Sequence, residues 1–160
     1  MSTKQALSAL TRREALLLAA GATMVAAGGV VLKSGTANAD EKMTNEAIMK
    51  LIGDKKPADG KITLELPQIA ENGNTVPVGV SVDSPMTADN YVKSVHLFAE
   101  GNPLPDVASL HFTPMSGKAQ AATRMRLAGT QNVVAVAEMS DGSVFRTQQE
   151  VKVTIGGCGG

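Results

Sequence analysis

Cys158 carries the clearest chemistry of this chain, since it is the one cysteine among 160 residues. It lies between two glycine pairs, Gly156-Gly157 before it and Gly159-Gly160 after it. A thiol has a reference pKa of about 8.5, and its thiolate is a nucleophile that can be joined oxidatively to another sulfur. The neighbouring glycines supply no general base, oxyanion hole or metal ligand. We therefore predict a substrate carrier rather than an enzyme, with the reactive atom of Cys158 on a flexible arm, residues 156–160, where packing requires no glycine.

A single thiol and a balanced charge exclude several classes of protein. One cysteine cannot form an intrachain disulfide, a Cys-x-x-Cys redox pair or a zinc site of several thiolates. Aromatic residues make up 2% of the chain, too few for a stacking platform that binds single-stranded nucleic acid. Lys and Arg number 15 against 15 Asp and Glu, so no basic surface for nucleic acid is indicated. No cofactor is expected.

Residues 1–39 have the pattern of an export signal. The pair Arg12-Arg13 precedes an apolar stretch over residues 15–32, and Ala37-Asn38-Ala39 follows as a cleavage pattern with small side chains. The arginine pair is typical of twin-arginine export. An uncleaved membrane anchor is the alternative, which the glycines within the apolar stretch disfavour. We expect cleavage after Ala39, a periplasmic location and no later membrane association.

Residues 40–155 of the predicted mature chain, residues 40–160, are predicted to form an all-β domain. Apolar spacing over residues 44–52 favours one short N-terminal helix, with Gly53 as its stop. After residue 60 the apolar residues alternate with polar ones, and Asp141-Gly142 is a hairpin turn signal. About seven short strands without helices between them favour an immunoglobulin-like antiparallel β-sandwich. The apolar positions of these strands are Ile62, Leu64, Leu66, Val76, Val78, Val80, Val82, Val95, Leu97, Ala99, Ala108, Leu110, Phe112, Ala119, Ala121, Met125, Leu127, Val134, Val136, Val151, Val153 and Ile155.

Several segments resemble those of a known family, the sulfur-carrier subunit SoxY of the periplasmic Sox thiosulfate-oxidising system. The glycine-flanked cysteine at the end is the most specific of them, and a twin-arginine signal is also typical of the family. The resemblance covers the mature chain. The matching segments are Val76-Pro77-Val78, Ser84-Pro85-Met86-Thr87, Asn102-Pro103-Leu104-Pro105, Thr123-Arg124-Met125-Arg126-Leu127-Ala128, Ser140-Asp141-Gly142 and Gly156-Gly157-Cys158-Gly159-Gly160.

The resemblance implies partners and a reaction that the residues alone do not. It implies a heterodimer with a SoxZ-like β-sandwich subunit. Cys158 would be the carrier cysteine, to which a c-type cytochrome, SoxXA, couples thiosulfate. A hydrolase, SoxB, would release sulfate and leave a persulfide, and a sulfane dehydrogenase, SoxCD, would oxidise the outer sulfur before a second hydrolysis.

Three other interpretations of the reactive groups remain open. A cupredoxin would use His96, His111, Cys158 and a methionine as copper ligands, although we expect both histidines to be ordinary strand residues. A ubiquitin-like carrier would hold sulfur as a thiocarboxylate on Gly160, which requires activation by ATP. A periplasmic binding or structural subunit would form an intermolecular disulfide through Cys158.

Two further features are ambiguous in the sequence. Ser84-Pro85-Met86 and Asn102-Pro103-Leu104-Pro105 are equally consistent with turns and with a docking surface. Arg124 and Arg126 lie on one strand face, where a solvated surface is favoured over contact with an anionic adduct.

Overall fold

The computed structural model describes residues 41–157 of the chain. The predicted export signal, residues 1–39, and Cys158, Gly159 and Gly160 lie outside the described residues. One helix and eight strands follow each other along the chain, with a short 3₁₀ turn at Pro114–Ser116. They are α1 (Glu41–Ile52), β1 (Ile62–Glu65), β2 (Ile69–Asn72), β3 (Val76–Val82), β4 (Val92–Ala99), β5 (Asp106–His111), β6 (Ala119–Met125), β7 (Gln131–Met139) and β8 (Val144–Ile155).

The strands form two sheets, which confirms the predicted β-sandwich. One sheet has the order β1-β3-β6 and the other the order β2-β8-β7-β4-β5. All pairs are antiparallel except β2 with β8, which run parallel. The strand β2 was not predicted, because its one buried residue, Ala70, leaves no alternating apolar pattern to detect. The structure therefore has one strand more than expected and one parallel pair.

Alternation along the strands builds the core between the two sheets. In β3, Val76, Val78, Val80 and Val82 are buried while the intervening residues are more exposed. Successive side chains of a strand point to opposite faces, so this spacing places every valine of the strand in the core. The hairpin between β7 and β8 turns at Gly142, whose φ of 84° suits glycine and fulfils the predicted turn.

The strand β7 is buried on both faces, because α1 covers the outer face of the five-stranded sheet. Val134 and Val136 pack with Ile48 and Ile52 of the helix and with Phe98 of β4. Val133, Ala135 and Ala137 belong to the core between the sheets. This explains the continuous apolar run from residue 133 to residue 137. None of the helices in residues 41–157 has the length and apolar character needed to cross a membrane.

Thr44 occupies the buried face of α1, one turn before Ile48, and its side chain has no exposed surface. Within residues 41–157, its Oγ1 is the buried side-chain atom that has no hydrogen-bond partner. We predict that Thr44→Val raises the free energy of unfolding by about 1 kcal/mol, because the isosteric change removes an unsatisfied hydroxyl. Urea unfolding followed by circular dichroism measures this, with Thr44→Ser as the variant that keeps the hydroxyl. A lower stability of Thr44→Val than of Thr44→Ser would contradict the prediction.

Candidate functional site

The strand β8 leads the chain to the predicted arm. Its N-terminal two thirds pair antiparallel with β7, while residues 152–155 pair with β2. The parallel register places Asn72 opposite Ile155. The two strands therefore end side by side, and Gly73 and Gly156 follow them at the same edge.

Backbone hydrogen bonds hold the chain beyond the end of β8. The Gly73 N–H donates to the Ile155 carbonyl at 2.8 Å, and the Gly73 carbonyl accepts from the Leu127 N–H at 2.8 Å. The Leu127 carbonyl in turn accepts from the Gly157 N–H at 2.9 Å. Gly157 is buried, whereas Gly156 is exposed. The residue that precedes the cysteine is thus part of the folded domain.

Close backbone approach requires glycine at three positions of this edge. A Cβ on Gly157 would lie 2.8 Å from the Gly73 carbonyl oxygen, and a Cβ on Gly156 would collide with the Ala128 carbonyl oxygen. A Cβ on Gly73 would collide with the Leu127 carbonyl oxygen and lie 2.6 Å from the Gly157 nitrogen. The expectation that packing requires no glycine at the chain end is therefore wrong for Gly156 and Gly157. Flexibility of residues 156–160 as a whole stays a prediction.

A polar network fixes the loop that holds Gly157. The Asn102 side chain donates from Nδ2 to the Arg126 carbonyl at 2.9 Å and accepts at Oδ1 from the Ala128 N–H at 2.9 Å. Gln131, which is buried, donates from Nε2 to the same Oδ1 at 3.1 Å and accepts the Gly101 N–H at 2.7 Å. Because these bonds fix residues on both sides of Leu127, its N–H and carbonyl face Gly73 and Gly157. Asn102 thus has a structural role, while Leu104 of the same turn is 75% exposed.

Arg126 contacts Gly157, the residue before the cysteine. Its Cγ lies 2.9 Å from the position of a Cβ on Gly157. Cys158 directly follows Gly157 in the sequence, so the stem of Arg126 packs one residue before the cysteine. Arg124 lies within β6, where it pairs with Pro77. The sequence gives no reason to separate the two arginines. In the structure Arg126 packs against Gly157, whereas Arg124 is a residue of β6.

Both histidines lie in strands, as expected, and the structure shows that the two strands are adjacent. His96 belongs to β4 and His111 ends β5, with ring centroids 6.3 Å apart and rings nearly perpendicular. The His96 ring nitrogens lie 2.8 Å from Ser109 Oγ and 3.0 Å from Ser94 Oγ. Burial lowers the pKa of His96, and the neighbouring His111 lowers it further. Residues 41–157 contain no cluster of three or more His, Cys, Asp or Glu that could hold a metal ion.

Fold and site together define a class of protein: a β-sandwich whose last described residue, Gly157, is hydrogen-bonded to the domain and directly precedes a cysteine. The model of the family described as "Sulfur oxidation protein SoxY" matches residues 48–158, a range that includes Cys158. The solved structure of the sulfur carrier protein SoxY from Chlorobium limicola f thiosulfatophilum is 34% identical and has a TM-score of 0.60. That match covers 70% of this chain and 96% of the other. The chain belongs to the SoxY family.

Other similar structures share the fold alone. A superoxide reductase (neelaredoxin) from Ignicoccus hospitalis is 19% identical with a TM-score of 0.53, covering 59% of this chain and 80% of that one. A putative superoxide reductase from Thermotoga maritima is 17% identical with a TM-score of 0.51, covering 62% and 93%. No curated protein sequence matches this chain.

The position of Arg126 leads to a prediction about the reactivity of Cys158. At low ionic strength, Arg126→Gln is expected to slow labelling by an anionic methanethiosulfonate reagent about threefold relative to an uncharged one. That ratio corresponds to one unit charge at roughly 6–7 Å in water. Because Cys158 is the one thiol, the labelling rates refer to it without ambiguity. Arg124→Gln is the matched control, and an equal effect of the two substitutions would contradict the assignment to Arg126.

The polar network around Asn102 leads to a prediction about stability. We expect Asn102→Ala to lower the free energy of unfolding by about 1–3 kcal/mol, because it removes the partners of the Ala128 N–H and of Gln131. Leu104→Ala in the same exposed turn is expected to change it by less than about 0.5 kcal/mol. Urea unfolding of both variants measures the difference. A stability of Asn102→Ala equal to that of Leu104→Ala would refute the structural role of Asn102.

Proposed function

We propose that this protein carries sulfur intermediates covalently on Cys158 during thiosulfate oxidation. One observation carries the proposal: the family match extends through Cys158, the single thiol of the chain, which directly follows the backbone-held Gly157. A sulfur-carrier role in the Sox system follows from membership of the family. The covalent chemistry, the individual partners and the location are the parts that we add.

The reaction cycle begins with oxidative coupling. The Cys158 thiolate and thiosulfate form a sulfur–sulfur bond, and two electrons pass to a c-type cytochrome partner such as SoxXA. The product is an S-thiosulfonate with one negative charge. A SoxB-like hydrolase then adds water at the outer sulfonate sulfur, so that sulfate and two protons leave and a persulfide stays on Cys158. A SoxCD-like dehydrogenase oxidises the outer sulfur to a sulfonate with three waters as the oxygen source, so that six protons are released and six electrons pass to a c-type cytochrome acceptor. A second hydrolysis then releases sulfate and two protons and restores the thiolate.

The chain contributes attachment and position to this cycle, and the enzymes contribute catalysis. The described residues next to the arm offer backbone groups and the cation of Arg126, which suits an anionic adduct. This division of roles supports a carrier rather than an enzyme.

The proposed setting is the periplasm, reached through a twin-arginine signal in residues 1–39. Support comes from the arginine pair and the cleavage pattern after residue 39, and from the family likeness. The proposed stable partner is a SoxZ-like subunit. A protein with one thiol also suits an oxidising compartment, because no second cysteine can resolve the sulfur adduct within the chain.

We predict that Cys158→Ser abolishes thiosulfate-dependent sulfate formation in an assay reconstituted with the partner enzymes, because a hydroxyl forms no sulfur–sulfur bond. The fold should be intact, as shown by circular dichroism and an unchanged unfolding midpoint. The matched control is wild-type protein whose thiol is capped by a reducible disulfide, which should regain activity upon reduction.

Retained activity in Cys158→Ser would overturn the proposal. It would favour a thiocarboxylate on Gly160, which needs no thiol. Activity confined to a disulfide-linked dimer, and absent from reduced monomer, would instead favour the structural subunit.

A further inference from the structure

We propose that Gly73, Leu127 and Gly157 form a backbone clasp that fixes the point from which Cys158 presents its sulfur. The word clasp refers to these three residues together with Gly156, which passes over Ala128. The inference deepens the proposed function and rests on it, because a fixed presentation point matters for a thiol that carries substrate. It assigns positioning roles to Gly73, Gly156 and Gly157.

The clasp joins three segments that are distant in the sequence. Gly73 follows β2, Leu127 lies between β6 and β7, and Gly157 follows β8. Leu127 is fully buried and bonds to both glycines through its own N–H and carbonyl. The segment of Leu127 is itself held by Asn102 from a fourth part of the chain. Gly157 is thus tied to a supported loop, and a residue with such bonds is held in one place.

Steric fit, and not backbone freedom, explains the glycines of the clasp. Gly73, Gly156 and Gly157 are not among the positive-φ glycines of residues 41–157, so each has a backbone conformation that other residues also adopt. Each nevertheless approaches a backbone atom too closely for a Cβ. Gly129, in the same loop as Leu127, has no heavy atom within 4 Å of a Cβ position. It therefore provides a matched glycine without a role in the clasp.

Anchoring the chain at Gly157 shortens the distance over which the Cys158 thiol can move and so raises its effective concentration near that residue. An arm anchored at Ile155 would let the Cα of residue 158 move over about 10 Å, and an arm anchored at Gly157 over about 3.8 Å. With about 2.8 Å added for the step from Cα to sulfur, the volume open to the thiol is smaller by a factor of about seven, which raises its effective concentration near Gly157 correspondingly. The anchored residue, Gly157, is contacted by the stem of Arg126. An enzyme that docks at this edge meets the sulfur at a defined place.

Amide hydrogen exchange measured by NMR tests whether the clasp exists in solution. In the full mature protein, the amides of Gly157 and Leu127 should be protected, and Gly129→Ala should leave both unchanged within about twofold. Gly156→Ala and Gly157→Ala should reduce protection of both amides at least about tenfold. Gly73→Ala should do the same at Gly157, although it leaves the arm sequence unaltered. Should Gly73→Ala not fold, the two substitutions at the chain end keep the test decisive.

Thiol labelling tests whether the clasp positions Cys158. The preference for an anionic over an uncharged reagent, which depends on Arg126, should fall in Gly157→Ala to the value found in Arg126→Gln. The double variant should show no further loss, and Gly129→Ala should keep the wild-type ratio. With partner enzymes, Gly157→Ala should lower kcat/KM at least about fivefold through a raised KM, while the thiol content remains complete.

Two results would overturn the clasp: an unprotected Gly157 amide in the wild-type protein, or a wild-type labelling ratio in Gly157→Ala. Neither readout requires sulfur turnover, so failure of the clasp is distinct from failure of the carrier function. If Cys158→Ser keeps its activity while Gly157 is protected, the clasp persists as structure and its presentation role is refuted.

Discussion

The parallel pairing of β8 with β2 determines where the chain leaves the sandwich on its way to Cys158. β2 is only four residues long and lies at an edge of the five-stranded sheet. Its register with β8 nevertheless brings Gly73 to the place where the chain leaves its last strand. The turn after β2 is shaped locally by the Asn72 side chain, whose Oδ1 accepts the Asn74 N–H at 2.9 Å. A shift of this register by one residue would move Gly73 away from Ile155 and leave Gly157 without its neighbour.

Around that edge, the molecule separates a rigid scaffold from a small chemical element. The sandwich core is built from aliphatic side chains on both sheets, and α1 seals the outer face of the central strands. Asn102 and Gln131 form a network of hydrogen-bonded polar side chains where the arm begins. Buried polar networks that are fully bonded specify one arrangement of their loops. A covalent carrier benefits from this design because its enzymes must find one sulfur atom in a reproducible place.

The regular parts of the fold were predictable from periodicity. The valines of β3 alternate without interruption, and the helix has buried residues at Ile48 and Ile52, so a simple count of spacing finds both elements. The strand β2 could not be predicted, because a strand with one buried residue has no alternating apolar pattern. The parallel pairing of β2 with β8 could not be predicted either, because strand order depends on contacts between distant segments, which local spacing does not encode.

The candidate site was predictable in its chemistry and not in its construction. A single cysteine between glycines points to a carrier thiol by residue type alone. The clasp depends on Gly73 and Leu127, which lie far from the arm in sequence, and on backbone atoms, which are the same in every residue. The glycine at position 73 was the available signal, since an isolated glycine after a strand can indicate close backbone approach. At Gly156 and Gly157 the same signal favours flexibility when only the sequence is considered, because chain ends commonly lack packing.

The central claim is that sulfur is carried on Cys158, and mass spectrometry of the intact protein tests it most directly. The protein would be isolated without reductant after turnover of thiosulfate with its partner enzymes, and fragmented to locate any adduct. The account predicts reducible additions of about 32 Da for one sulfur or about 112 Da for a thiosulfonate, as the covalent chemistry of the thiol requires, both on Cys158. An unmodified Cys158 during active turnover, or a mass change located on the terminal carboxylate, would contradict it.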